Sequence, residues 1–220
     1  MRWIRTTALL ALFGLVAVAA PARADDPPPP APPPAAAPDA DAARIAAAGH
    51  SLKWNWTPPG RNQRFGHAET LVHASLDNVR RLVIDYPKYK DLAPSITTSK
   101  VVGHQPDGST DLYIRMGVLN NTISFWNVTR FAPVRAVDGN EVIEGQMVPG
   151  KGNIDDSVVV WTLHPAGPDW TVLKFDVLLR PGLPAPQSLI DEQLRDSAMD
   201  AVSSIHRRAQ GSKDVLPYSG

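Results

Sequence analysis

His67, Glu69 and His73 fall at alternate positions of one short segment, the spacing that puts side chains on a single strand face. Imidazole and carboxylate are proper Zn²⁺ ligands, but on an extended strand His67 and His73 would stand roughly 20 Å apart, too far to share an ion. The trio therefore reads as an exposed polar face, and no metal is expected. Asp155 and Asp156 are adjacent, so a strand would send them to opposite faces. Lys174 and Asp176 share a face of their own segment. Facing water they are a solvated pair, and facing inward Asp176 becomes a candidate catalytic base. Arg115 and Arg130 carry the same two readings. His104 and His164 sit beside turns, and His206 lies late in a helical segment where a cation suits the helix end.

Other chemistries are excluded by what the 220 residues lack. There is no cysteine, hence no disulfide, thiol nucleophile or acylated cysteine anchor. No phosphate-binding glycine loop, serine nucleophile elbow or aromatic-basic stripe occurs, and no cofactor is implied. Asn120-Asn121-Thr122 and Asn127-Val128-Thr129 match a glycosylation acceptor pattern, but both fall in predicted strand regions.

Residues 1–24 carry Arg2 and Arg5, an apolar run from Ala8 to Ala20, and Ala22-Arg23-Ala24, the pattern of a secretory signal peptide cut near Ala24. The run is shorter than the roughly 20 residues that span a bilayer, so a periplasmic or secreted protein with no transmembrane segment is expected. Cleavage removes three arginines and no acid, taking 22 basic residues to 19 against 22 acidic and the net charge from zero to −3. Mild acidity gives no footing to a nucleic-acid partner.

Residues 25–50 hold eight prolines and little that builds a core, which predicts a flexible or semi-rigid extended spacer. Ala40 to Ala48 is a short helix candidate, marginal alone. The folded unit is expected over 51–209, with a disordered tail over 210–220. An envelope protein or a membrane surface is a further partner the spacer could serve, and the oligomeric state stays open.

Within that unit the hydrophobic period is two, then 3.6, then two again. Leu52 to Trp56 reads as a lead-in strand and Gly66 to Ser75 as a half-buried strand. Ser75 or Asp77 caps a short helix with Val79, Leu82 and Val83 inward, and a second short helix ends before Pro94. Strands follow over Thr97–His104, Thr110–Leu119, Asn121–Phe131, Arg135–Glu144, Ile154–Leu163 and Trp170–Leu179, the fourth open to division by its Asp138-Gly139-Asn140 turn. A helix from about Leu189 to Ala209 shows one apolar stripe, with Ser188 and Asp191 as its capping box. This is an α+β chain: a curved antiparallel sheet of six or seven strands around a long C-terminal helix.

The segment Ala74 to Val79, continuing through Asp85-Tyr86-Pro87-Lys88-Tyr89 to Pro94 and Ser99-Lys100-Val101, resembles the opening of the START-like helix-grip superfamily (SRPBCC). More narrowly it resembles the polyketide cyclase/dehydrase and coenzyme Q-binding branch. Trp161-Thr162-Leu163-His164-Pro165 and Trp170 to Phe175 resemble its last hairpin, and Leu183-Pro184 precedes the terminal helix. Ser75-Leu76 stands where that branch usually has Pro-Ala or Pro-Glu. The resemblance covers about 66–209 and implies an elongated apolar cavity for lipids, sterols, quinones or aromatic polyketides.

Leu112, Ile114, Met116, Ile123, Phe125, Leu173, Phe175 and Val177 can face the helix and line such a pocket, or else simply fill the core. Trp126, Trp161, Leu194, Ala198 and Met199 complete the candidate wall, with Tyr86 and Tyr89 at the rim. Three functions follow from this reading. The first is an exported carrier or scavenger of a hydrophobic molecule, the second a cofactor-free cyclase or dehydratase using the same cavity with Asp176, and the third a non-catalytic envelope interaction domain.

Overall fold

The computed structural model describes residues 39–118, 122–211, 214 and 216–218. The leader, most of the Pro-rich stretch and the Asn120 acceptor pattern lie outside the described residues.

Helix α1 (Ala40–Ala48) is followed by β1 (Leu52–Trp56), β2 (Phe65–Val72), α2 (Leu76–Val83) and a 3₁₀ turn over Tyr86–Asp91. Then come β3 (Ile96–His104), β4 (Thr110–Val118), β5 (Ile123–Phe131), β6 (Arg135–Val137), β7 (Asn140–Gly152), β8 (Ile154–Gly167), β9 (Trp170–Pro181) and α3 (Gln187–Gln210). The strands form one antiparallel sheet in the order β1-β2-β9-β8-β7-β5-β4-β3, with β6 on β7. Among the described residues the sheet has nine strands, against the expected six or seven. The lead-in segment pairs fully with β2, and the Asp138-Gly139 turn, where both residues take positive φ, divides Arg135–Glu144 into β6 and the start of β7.

Two further boundaries move. Alone, α1 would be marginal, but Ala42 and Ile45 bury against Leu71, Ala166, Trp170 and Val172 on the sheet's outer face, so tertiary packing holds it and the folded unit reaches back to Asp39. Asp39 caps α1 by accepting from Ala42 N at 2.8 Å. In the expected C-terminal tail, Tyr218 donates to Ala166 O at 2.7 Å and meets Trp170 edge-on, closing the same cluster.

The concave face holds the main core. Helix α3 packs chiefly on β2, then on β9 and β1, and it turns Leu194, Ala198, Ala201, Val202 and Ile205 inward, as its apolar stripe requires. Its seat on β2 depends on Gly66, because a Cβ there would lie 2.2 Å from the backbone carbon of Leu194. The Ser188 capping box does not form. The helix begins earlier, with Pro186 at the cap, and Asp191, expected on the wet face, is buried and accepts from Arg64 and Gln187 at 2.7 Å each.

Candidate functional site

Strand alternation sorts the sheet's side chains into two faces. The register from Leu112 to Thr129, Gly145 to Val159, Ile143 to Trp161 and Phe175 to Ala68 carries the concave face across the sheet. Under the second half of α3 this interior is solid. Trp161 is wholly buried at 4.1 Å from the Phe175 ring, and Leu112, Leu173, Ala198, Val202 and Ile205 are fully enclosed around it. Gly145 makes the packing possible, since a Cβ there would come within 2.8 Å of Phe131, Thr129 and Val159.

Elsewhere the concave face is less deeply buried. Met116, Ile123, Phe125, Val159, Val177 and Met199 are half-buried rather than enclosed. The candidate wall therefore divides by burial. Leu112, Ile114, Trp161, Leu173, Phe175, Leu194 and Ala198 are buried, whereas Met116, Ile123, Phe125, Val177 and Met199 are only partly so.

Trp126 and Tyr89 depart from their expected positions, and Asp176 takes the outward of its two readings, each for a geometric reason. Trp126 alternates away from Phe125 and lies beside Tyr113 on the outer face, with ring centroids 5.8 Å apart. Tyr89 is no rim residue, for it is buried in the core, where its hydroxyl accepts from Trp161 Nε1 at 3.1 Å and donates to Val83 O at 2.9 Å. Asp176 alternates away from Phe175 and faces outward beneath Trp56, whose Nε1 donates to it at 2.5 Å. A cyclase working on the concave face would not have that acid.

Tyr86, the other rim candidate, stands half-buried over Phe131, with ring centroids 4.6 Å apart, and burial pushes its hydroxyl up to about 12. It borders an open cleft of about 600 Å³ at the α2 end of the sheet, shared with Ile84, Val101, His104, Phe131 and Val134. Arg115 donates to Ser124, and Arg130 forks onto Asp111 at 2.7 and 2.9 Å, holding that carboxyl below its usual range. Both arginines are outward and neither enters the concave site.

The outer face is not the exposed polar surface that His67 and Glu69 suggested. Both are buried, at 6% and 1% exposure, because the Trp54 ring of the neighbouring β1 lies over His67 and Arg44 of α1 reaches Glu69. His73 stays exposed, stacked on Trp170. Among the described residues no group of three acidic or histidine side chains is arranged to hold a metal, and no helix is long and apolar enough to cross a membrane.

Solved structures place this architecture. A STAR-related lipid transfer protein from Xanthomonas axonopodis superposes with a TM-score of 0.60 at 17% identity, covering 72% of this chain and 93% of the other. A START superfamily protein from Mycobacterium smegmatis gives 0.55 at 18% identity, over 66% of this chain and 96% of that one. Human STARD10 gives 0.59 at 11% identity, over 72% and 69%. The fold is START-like. Neither a protein-family profile nor a curated protein matches the sequence.

One pair in this START-like domain lies outside the candidates that the sequence suggests. Asn127 and Thr129, each 1% exposed, sit on the concave face between the apolar rows of β4 and β7, and Asn127 Nδ2 donates to Thr129 Oγ1 at 2.7 Å. A buried amide has more hydrogen-bonding capacity than this one bond uses, which makes it the polar landmark nearest Ile114 and Leu112. The available signal is their place in a strand whose inward side chains are otherwise Ile123, Phe125 and Phe131.

Proposed function

We propose that this START-like domain is an exported carrier that binds a hydrophobic small molecule, a lipid, quinone or polyaromatic, on the concave face between the sheet and α3. The observation that carries the reading is the set of half-buried apolar side chains there, Met116, Ile123, Phe125, Val159, Val177 and Met199, beside a core that is otherwise closed. Apolar surface left half in water gains about 25 cal/mol for each Å² a ligand covers, and Met side chains adapt to varied shapes. Lipid transfer is named for the Xanthomonas protein, and it is carried to this chain by fold analogy alone. The leader-like residues 1–24 support export.

The test is native mass spectrometry of protein purified without detergent, followed by organic extraction. A retained apolar compound is expected, with occupancy reduced in Phe125→Ala and unchanged in Asp176→Asn, which alters only the outer face. Protein that is empty and also fails to take up compounds from lipid and quinone panels would overturn the proposal.

A further inference from the structure

On the outer face, away from the proposed ligand, His67 is enclosed by groups from three elements. Its Nδ1 lies 2.8 Å from Asp176 Oδ1 on β9, and its Nε2, buried and without a hydrogen-bond partner, points toward Glu69 Oε2 at 3.9 Å. The Trp54 ring of β1 covers the imidazole at 4.2 Å, and Trp56 meets it edge-on at 6.3 Å. From α1, Arg44 forks onto Glu69 and reaches Asp41 at 3.2 Å, while Asp41 accepts from Lys174 of β9 at 2.5 Å. The facing charges are thus Asp176, Glu69 and Asp41 against Arg44 and Lys174. Beyond its backbone ladder with β2, β1 meets this ring through Trp54 and Trp56, and beyond its apolar cluster α1 reaches the ring's partner Glu69 through Arg44.

We propose that His67 is a proton-operated clasp: the imidazolium, bridging Asp176 and Glu69 beneath Trp54, tightens the edge strand β1 on β2 and α1 on the outer face, and loss of its proton slackens both. The charged ring gives each carboxylate a cation and presents positive charge to the indole face. The neutral ring keeps the Asp176 bond but leaves Nε2 a buried acceptor with no donor, and it leaves Glu69 to Arg44 alone. Burial opposes charging of His67, yet the hydrogen bond to Asp176 and the nearby negative charges of Asp176 and Glu69 outweigh it and raise its pKa above the ordinary 6.5. A raised folded value means stability that is full below pH 6.5 and lost as pH rises through that folded value. Glu69 is held below its ordinary 4.5, so its share is present above that value and fades only in stronger acid. The clasp is therefore tightest in mildly acidic solution.

The experiment uses the full chain, with amide hydrogen exchange from about pH 6 to about pH 9 corrected for intrinsic chemistry, and with the β7–β8 amides as internal reference. Protection over 40–48 and 52–56 should fall relative to that reference. Linkage fixes the size of the loss at no more than the ratio of ordinary to folded acid constants, read for His67 by NMR on the same sample, with each unit worth about tenfold. His67→Gln should abolish the dependence, and Asp176→Asn should lower the His67 midpoint. A His67 titration below that of an ordinary histidine, or protection of β1 and α1 that tracks β7–β8 at every pH, would overturn the clasp. The NMR midpoint in the unmutated chain decides this even if His67→Gln does not fold.

Discussion

Replacing Gly66 with alanine tests the seat of α3 directly. The new methyl would lie 2.2 Å from Leu194 C, 2.3 Å from its oxygen and 2.7 Å from Arg195 N, against an ordinary van der Waals limit of 3.4 Å. Helix or strand must give way by about 1.2 Å, the difference between 3.4 and 2.2. Overpacking costs about 1–3 kcal/mol, and the obstacle here is helix backbone that cannot rotate aside, so a loss near 3 kcal/mol is expected. At roughly 2–4 °C per kcal/mol for a domain of this size, the melting midpoint should drop by about 6–12 °C. Circular dichroism melts and urea titrations read both quantities. Gly103→Ala is the control, since its methyl would meet nothing closer than 3.7 Å, and a change within about 0.5 kcal/mol is expected. If Gly66→Ala behaved like the control, the close contact between β2 and α3 would be refuted, and with it the placement of the helix over the concave face.

Two other perturbations address the core and its titration. Tyr89→Phe removes the acceptor for Trp161 Nε1 and should cost about 1–3 kcal/mol in urea unfolding; a neutral result would mean the indole finds another acceptor. Burial holds the His206 imidazole below its ordinary 6.5, so the unfolded chain takes up that proton first and the His206 share of stability is lost as pH falls from 6.5 toward the lower folded value. His206→Phe should flatten the acid limb of the stability profile relative to wild type, and an identical limb would remove His206 as its cause.

Much of the fold is legible in the sequence because period and turn chemistry agree with it. The stripe Leu194, Ala198, Ala201, Val202, Ile205 sets the direction of α3, and Asp138-Gly139 marks a turn by residues that accept positive φ. What sequence alone does not tell is which face of a strand another element covers. The alternation in β2 predicts one buried and one wet face, yet every residue from Phe65 to Val72 is buried, because α1 and the Trp54 and Trp56 rings of β1 close the side that α3 does not. That cover comes in part from an Ala-rich segment that packs against Ala166, Trp170 and Val172, far along the chain, which local composition does not report. The same blindness applies to Asp176 and Trp126. Alternation fixes that each opposes its neighbour, but only the placement of α3 tells which of the two is inside. For Tyr89, the partner Trp161 lies 72 residues along the chain.

Trp161 and the residues of α3 buried in the same cluster fill one part of the concave face and leave the rest only partly buried. A guest of the proposed kind lying on that face would be measured by length, since the packed core around Trp161 leaves it no way inward. A molecule longer than the shelf would have to fold back or project into solvent, where an acceptor could grasp it. On the carrier proposal, cargo would leave without the domain unfolding, and affinity should level off with ligand length once the shelf is full.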